Sequence, residues 1–318
     1  MESEIRSTCK VCHYSGDFSV FDIQERMLGL HDVFQYSECP QCKTIALNNP
    51  PPDMSKYYPG DYYSYNADNK EIQNRNSLRN RMKRWVIQDR LGSGSVFGVL
   101  IRKKFRSYLS WLIPEYFRFD QSILDVGCGN GFFLLSMANT GFKHLRGIDP
   151  YNDADISYPN GVNISKSDIF SEKGKYDVVM LHHSFEHMDE PEKVLSKIRE
   201  CLNPGGLVLI RIPVSDAAVW KLYGTLWVQL DAPRHFFIHS VKGMKILAER
   251  TGFQLDKVEF DSYSLQYWGS ELYRKNLPLS KGAGYFSAEQ IENWELKAAE
   301  NNRAGAGDQA CFYLKMRS

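Results

Sequence analysis

Three groups of residues in this 318-residue chain have the types and the spacing to do chemistry. In the first, Ile123-Leu124-Asp125-Val126-Gly127-Cys128-Gly129-Asn130-Gly131, an apolar run passes straight into alternating glycines, and a helical pattern follows at once. Glycine lets the backbone turn tightly and lets a ligand approach without a Cβ in the way. Asp149, in Gly147-Ile148-Asp149, comes 20 residues after Gly129 at the end of the next apolar run. A carboxylate there can accept hydrogen bonds from both hydroxyls of a ribose. The loop therefore suits a nucleotide cofactor, held by Asp125, Gly127, Cys128, Gly129, Asn130, Gly131 and Asp149.

The second group is rich in imidazole. His182-His183-Ser184-Phe185-Glu186-His187 gathers three of the chain's eight histidines after an apolar run. Leu230-Asp231-Ala232-Pro233-Arg234-His235 adds another, behind Trp220, Tyr223 and Trp227. An imidazole near its ordinary pKa of about 6.5 can take a proton at neutral pH. His183, His187 and His235 are thus candidate catalytic bases, with Glu186 to orient one of them. Trp220, Tyr223 and Trp227 are expected to wall an acceptor pocket in which Arg234 grips an anion. The plainer reading of that stretch is an Asp-Arg salt bridge over a hydrophobic plug. The string His183 to His187 also fits H-x-x-E-H, a zinc-protease signature that puts both histidines on one helix face. The strand-and-helix context described below speaks against it.

In the third group, Cys9-Lys10-Val11-Cys12 and Cys39-Pro40-Gln41-Cys42 are two C-x-x-C knuckles separated by 26 residues. Cys9, Cys12, Cys39 and Cys42 satisfy tetrahedral zinc and leave no coordination position open, so the metal is expected to be structural. His13 and His31 are alternative donors. Cys128, Cys201 and Cys311 fall in a glycine loop, a helix and a strand, where packing or backbone shape explains a cysteine.

The elements that must position these groups follow from periodicity. Strands are predicted at residues 122–126, 145–148, 162–165, 176–181, 207–212, 253–260 and 309–315, with helices at 132–139, 192–202 and 241–250. Strand and helix in alternation predict an α/β domain, Rossmann-like, with a mostly parallel seven-stranded sheet and helices on both faces. The glycine loop and the first histidine string then lie at carboxyl ends of strands, the edge where such sheets bind ligands. Pro50-Pro51-Pro52 closes a small module at 1–52, because proline neither continues a helix nor donates to a sheet. A connector at 53–119 holds the tyrosine-rich run Tyr57 to Tyr65 and two basic amphipathic helices. Leu78, Met82, Trp85 and Val86 mark the first, Ile101, Phe105, Tyr108, Leu109 and Leu112 the second, and Gly92-Ser93-Gly94-Ser95 separates them. The catalytic domain is expected at 120–318, with residues 282–307 of a length that suits an active-site lid.

Charge narrows the partners. The net charge is +1, yet Arg75 to Arg106 carries ten Lys or Arg against one acid. These helices either show a solvated basic face to water or meet the phosphates of a membrane or of a substrate. The low overall charge argues against nucleic acid. Met1 to Glu4 has no basic start and no apolar core, so the chain is expected to stay in the cytoplasm, with peripheral contact at the inner membrane surface through 75–106. Oligomeric state is not legible.

On its first motif this chain resembles the class I S-adenosylmethionine (SAM)-dependent methyltransferases. Asp125, Gly127, Gly129 and Gly131 match the family's acid followed by x-G-x-G-x-G, whereas dehydrogenases carry G-x-G-x-x-G. The resemblance implies that Asp149 holds the ribose, that Asp168 and Ile169 meet the adenine, and that His182 lies beside the methionine part. Asn203-Pro204-Gly205-Gly206 is similar to the family's turn into its fifth strand. The order of a two-knuckle module, a Tyr-Tyr-Pro-x-Asp-Tyr-Tyr connector and an Asp-x-Pro-Arg-His stretch looks like zinc-ribbon methyltransferases of bacterial surface glycans. That implies O-methylation of a sugar in a nucleotide-linked or lipid-linked precursor, with His187 or His235 as base. Rival readings are a sugar C-methyltransferase, an RNA methyltransferase using the basic segment, and a scaffold that binds SAM without turnover.

Overall fold

The computed structural model describes residues 3–58, 77–92, 96–101, 104–105 and 108–317. Tyr62, Tyr63 and Tyr65 of the connector, and Arg75, Arg102, Lys103 and Arg106 of the basic segment, lie outside the described residues. The chain forms two compact units. One comprises Met1–Pro59, His183–Ser196 and Ile210–Ser318, the other Gly60–His182 and Lys197–Leu209.

In the second of these units, β5 (Ser122–Val126), β6 (His144–Ile148), β8 (Asn163–Ser165) and β9 (Tyr176–His182) pair in parallel. A two-residue strand, β7 (Ile156–Ser157), adds antiparallel to β8. The order is β9-β5-β6-β8-β7, and the first half of β10 (Leu202–Pro213) lies beyond β9. Ile123, Leu124, Val178, Val179, Met180 and Leu181 are fully buried, as near-continuous apolar runs in a parallel sheet require. Sequence order runs outward on both sides of β5, so the carboxyl end of β5 is the point where the winding reverses. The mixed α/β, mostly parallel architecture matches the expectation, and β7 is the one strand of this unit that periodicity did not predict, being too short to show a pattern.

Helix α1 (Leu78–Arg90) starts at Ser77, whose hydroxyl accepts the Asn80 N–H, and buries Val86 and Ile87. Among the described residues the second predicted amphipathic helix is not formed. Helix α2 (Val96–Ile101) ends where that helix was to begin, and the described residues from Lys104 to Trp111 are turns. Leu109 takes φ +46°, and the Arg90 guanidinium donates to the carbonyl oxygens of Tyr108 and Leu109 at 3.0 and 2.5 Å. Phe105, Leu109 and Leu112 are buried all the same, so their spacing records burial and not a helix. Helix α3 (Phe132–Thr140) follows the glycine loop, and Arg84 of α1 caps the carbonyl of Asn139 in its last turn at 2.8 Å.

The other unit contains the N-terminal sheet, β1 (Ser3–Thr8), β2 (Ser15–Gln24), β3 (Val33–Glu38) and β4 (Ile45–Leu47), in sequential antiparallel order. Its fifth strand is β11 (Phe237–Ile238), which pairs with Ile45 and Ala46 of β4. Ile23, Tyr36, Ile45 and Leu47 from the N-terminal sheet share one core with Trp227, Val228, Leu230, Ile238 and Tyr273. The unit also carries α5 (Ala218–Tyr223), α6 (Val241–Arg250), α7 (Leu265–Arg274), and the pair β12 (Phe253–Phe260) and β13 (Gln309–Met316) beside the second half of β10. The lid-length stretch 282–307 is mostly α8 (Ala288–Arg303), started by a capping box between Ser287 and Gln290. Helix α4 (Pro191–Cys201) and β10 run from one unit into the other.

Candidate active site

At the end of β5 the chain turns through Gly127, Gly129 and Gly131, all at positive φ (71°, 53° and 80°). Gly131 is the N-cap of α3, and a Cβ there would lie 2.6 Å from Ile164 Cδ1 in addition to the left-handed backbone. The Gly127 N–H donates to Ile148 O at 2.8 Å, tying the loop to β6. Asp149 accepts from the Gly129 N–H through Oδ2 at 2.8 Å and from the Tyr151 N–H through Oδ1 at 2.9 Å. Cys128 directs its sulfur to the Gly129 carbonyl and against Gly147, where a Cβ would stand 2.5 Å from Sγ. Its part is to shape the loop from beneath.

Asp125 is buried, and its Oδ1 has no hydrogen-bond partner. Burial, with the charge of Asp149 added, raises its pKa well above the usual carboxylate range. The Asp125 carboxyl is therefore protonated at neutral pH and leaves Asp149 as the charged acid of the pair. Asn152 Nδ2 donates to Gly129 O at 2.9 Å and the Tyr158 hydroxyl to Asn130 O at 2.6 Å. Sequence reading missed both because their partners are backbone carbonyls that no spacing announces. Asp168 is exposed and accepts the Ser171 N–H at 2.9 Å, while Ile169 is buried. His182, the last residue of β9, lies between Trp111 and Phe133, with centroids 4.4 Å away on each side.

The remaining candidate histidines belong to the other unit. His183 follows β9 at φ +51°, and Phe185–His187 is a single 3-10 turn in place of the helix face that H-x-x-E-H would need. Glu186 in that turn is fully buried, and neither carboxylate oxygen has a hydrogen-bond partner of good geometry. His183 Nδ1 is 3.4 Å and His235 Nε2 3.9 Å from Glu186 Oε1. His187 stands edge-on to His235, ring centroids 4.8 Å apart. Burial works to raise the Glu186 pKa, but His183, His187 and His235 outweigh it and hold the carboxyl at about 2. Burial, assisted by His187, pushes His235 down to about 4 against the pull of Asp231 and Glu186, so its ring is neutral at pH 7. The structure thus brings His183, His187 and His235 together around one carboxylate.

Arg234 does not face a substrate. Its guanidinium is wholly buried, donates to both oxygens of Asp231 at 2.6 and 2.9 Å, and reaches Glu25 at 3.0 Å and the Tyr57 carbonyl at 3.2 Å. The salt bridge over a hydrophobic plug is the arrangement found, with Glu25 of the N-terminal region as an added partner. Trp227 is likewise in the core, its Nε1–H on Asp308 at 3.2 Å. Trp220 packs on Phe21 and Trp227, and the Tyr223 hydroxyl donates to Glu271 at 2.9 Å, so these half-buried rings pack against the core of this unit.

The four cysteine sulfurs lie within 4.8 Å of one another, with Cys9 to Cys42 and Cys12 to Cys39 at 3.6 Å. A tetrahedron of Zn–S bonds of about 2.3 Å has edges of about 3.8 Å, so the donors fit that ion. His13 and Lys43, next after each second cysteine, take positive φ and close the knuckles through N–H bonds to Cys9 O and Cys39 O. His13 turns away to Glu192 and Arg250, and His31 is exposed. The knuckles lead straight to the histidine cluster. Ser240 bonds the Cys42 carbonyl, Leu47 N–H donates to Phe236 O, Phe236 N–H to Glu186 O, and the Tyr36 hydroxyl to His235 O.

A parallel sheet with a glycine loop and an acid at the end of its next strand is the arrangement that holds a nucleotide cofactor. The methyltransferase-domain family matches residues 100–258, half of the chain, and the chain belongs to that family. The tRNA U34 carboxymethyltransferase of Campylobacter curvus is 23% identical over 190 residues, 56% of this chain and 62% of that protein. The enzyme of the same name from Azotobacter vinelandii is 28% identical over 181 residues, 52% of this chain and 56% of that one. The ubiquinone biosynthesis O-methyltransferase of Paraburkholderia xenovorans is 33% identical over 111 residues, 31% of this chain and 47% of its own length. The chain spans about half the length of these curated relatives. Among the described residues no helix is long and apolar enough to cross a membrane.

Proposed function

We propose that this enzyme methylates a hydroxyl of a sugar carried by a nucleotide or a lipid in the making of a surface glycan, and that Cys9, Cys12, Cys39 and Cys42 hold a structural zinc. The observation that carries the reading is the buried Glu186 with His183, His187 and His235 around it. A hydroxyl must lose its proton as its oxygen attacks, and such a cluster is the place for that proton to leave. SAM, when bound, supplies a methyl group on a positively charged sulfur. The loop from Asp125 to Gly131 and Asp149 hold the nucleoside end, and His182, fixed between Trp111 and Phe133, borders the methionine end. The sugar as acceptor is supported by the order of modules along the chain. Membrane contact through 75–106 would rest on fewer charges than composition offers, because Arg84 and Arg90 are spent on backbone carbonyls.

An RNA acceptor is the second reading, favoured by the names of the tRNA-modifying relatives. Tritiated SAM incubated with the purified enzyme and, separately, nucleotide sugars, lipid-linked glycan and RNA separates the two. Label in either sugar fraction is the expected result, and label confined to RNA overturns the proposal.

A further inference from the structure

Glu186, His187 and His235 each offer a ligand atom within 4.8 Å of the other two, from two separate stretches of chain. His187 Nδ1 lies 2.7 Å from the Arg234 carbonyl and His235 Nδ1 lies 2.8 Å from the Gln229 carbonyl. A carbonyl only accepts, so each Nδ1 carries the hydrogen and each Nε2 presents a lone pair. That is the arrangement by which backbone carbonyls fix metal-binding imidazoles. Here His235 Nε2 faces an acceptor, since Glu186 Oε1 is 3.9 Å away and Asp231 Oδ2 also 3.9 Å. Lone pairs and a wholly buried carboxylate that no group meets at good hydrogen-bond geometry converge on one point, which calls for a cation between them. The surrounding charge agrees. Glu25, Asp231 and Glu186 are three buried or nearly buried acids, and Arg234 is the one guanidinium paired with the first two.

We infer that Glu186, His187 and His235 bind one divalent transition-metal cation, separate from the cysteine site, with open positions for an oxygen ligand. Two imidazoles and a carboxylate suit zinc or its first-row neighbours, while magnesium and calcium prefer oxygen alone. Bonds of about 2.0–2.2 Å place such ligand atoms about 3–4 Å apart, close to the spacing present. His183, 3.4 Å from Glu186 Oε1 and 3.2 Å from the Arg211 guanidinium, keeps the carboxylate aimed inward. For its oxygen ligand the inference rests on the hydroxyl reading above. A hydroxyl bound to the cation would lose its proton to water more readily than a free one.

The test is cobalt titration of the zinc-loaded full chain, followed by visible absorption. One further equivalent of Co2+ is expected, with weak d–d bands and no thiolate charge-transfer band. Glu186→Gln and the half-exposed His187→Gln should each weaken that equivalent roughly tenfold or more and keep the cysteine-bound zinc and the SAM affinity. Absence of a further equivalent in the unaltered chain, or an unchanged one in both variants, overturns the site. Cobalt binding as described with label entering only RNA would leave the site standing and remove the sugar. Label in a sugar fraction with no cobalt site would do the reverse.

Discussion

The cofactor loop and the Glu186 cluster, which lie in different units, draw on the chain in different ways. Around the loop, the partners of Gly127 to Gly131 come from residues 128–164 and are backbone groups and neutral or singly charged side chains close in sequence. The cluster needs Glu25, Tyr36, Tyr57, Tyr58, His183 to His187, Gln229 and Asp231 to His235, and its currency is buried charge. A loop made by backbone conformation can fail locally and leave its sheet intact. A cluster of interlocked charges cannot lose one partner without stranding another. The N-terminal sheet belongs to this second kind of construction, since its β4 and Tyr36 hold the segment that carries His235.

The sharpest break of that contrast is Arg234→Met. It strands Glu25 and Asp231 without a counter-charge, and about 3–5 kcal/mol of stability should be lost, read as a fall in the urea midpoint. A midpoint close to that of the unaltered chain would mean that the acids are relieved by another route and that the cluster is not interlocked. Next in size is Gly131→Val, which opposes a left-handed backbone and drives a side chain into Ile164. SAM affinity should fall about 100-fold, or about 2.7 kcal/mol, by calorimetry, with a smaller fall in the urea midpoint than Arg234→Met gives. If Gly131→Val unfolds the protein as Arg234→Met does, the two regions are built alike and the comparison fails.

The same contrast explains what could be read from the sequence. The strand at 122–126, the glycines and Asp149 were legible because one short segment contains both the pattern and its consequence. His183, Glu186 and His187 were visible as a string, yet the arrival of His235 from 48 residues beyond His187 was only one of several options. Arg234 was the instructive failure: a lone arginine near aromatics is expected to grip an anion, and only its burial with Glu25, 209 residues away, shows that it is spent. The helix expected from Ile101 to Leu112 failed for a related reason. Apolar residues at helical spacing mark burial, and the Arg90 guanidinium supplied the carbonyls with partners that a helix would otherwise have given. Helix α8 was missed because Ile291, Trp294 and Ala298 are a thin apolar stripe among charges.

The smallest effect tests whether the unit around the cluster pays for buried titrating groups as the comparison implies. His239 is wholly buried, stacked between Phe185 and Phe237 at 5.3 and 5.4 Å, with no hydrogen-bond partner for either nitrogen. Burial drives its pKa down to about 4, with Glu186 pulling weakly the other way. In the unfolded chain the imidazole titrates near 6.5. Above that pH the ring is neutral in both states and contributes no pH dependence. Between about 6.5 and 4 the unfolded chain takes up a proton that the folded ring refuses, so stability falls as the pH falls, by about 2 kcal/mol at pH 5. His239→Phe keeps the stack, forfeits no hydrogen bond and removes that loss. Urea midpoints should therefore be similar for the two proteins at pH 8, and the variant should be the more stable by about 2 kcal/mol at pH 5. An equal difference at both pH values would show that the ring is protonated in the folded unit, with the charge of Glu186 or a proton path to solvent keeping it so.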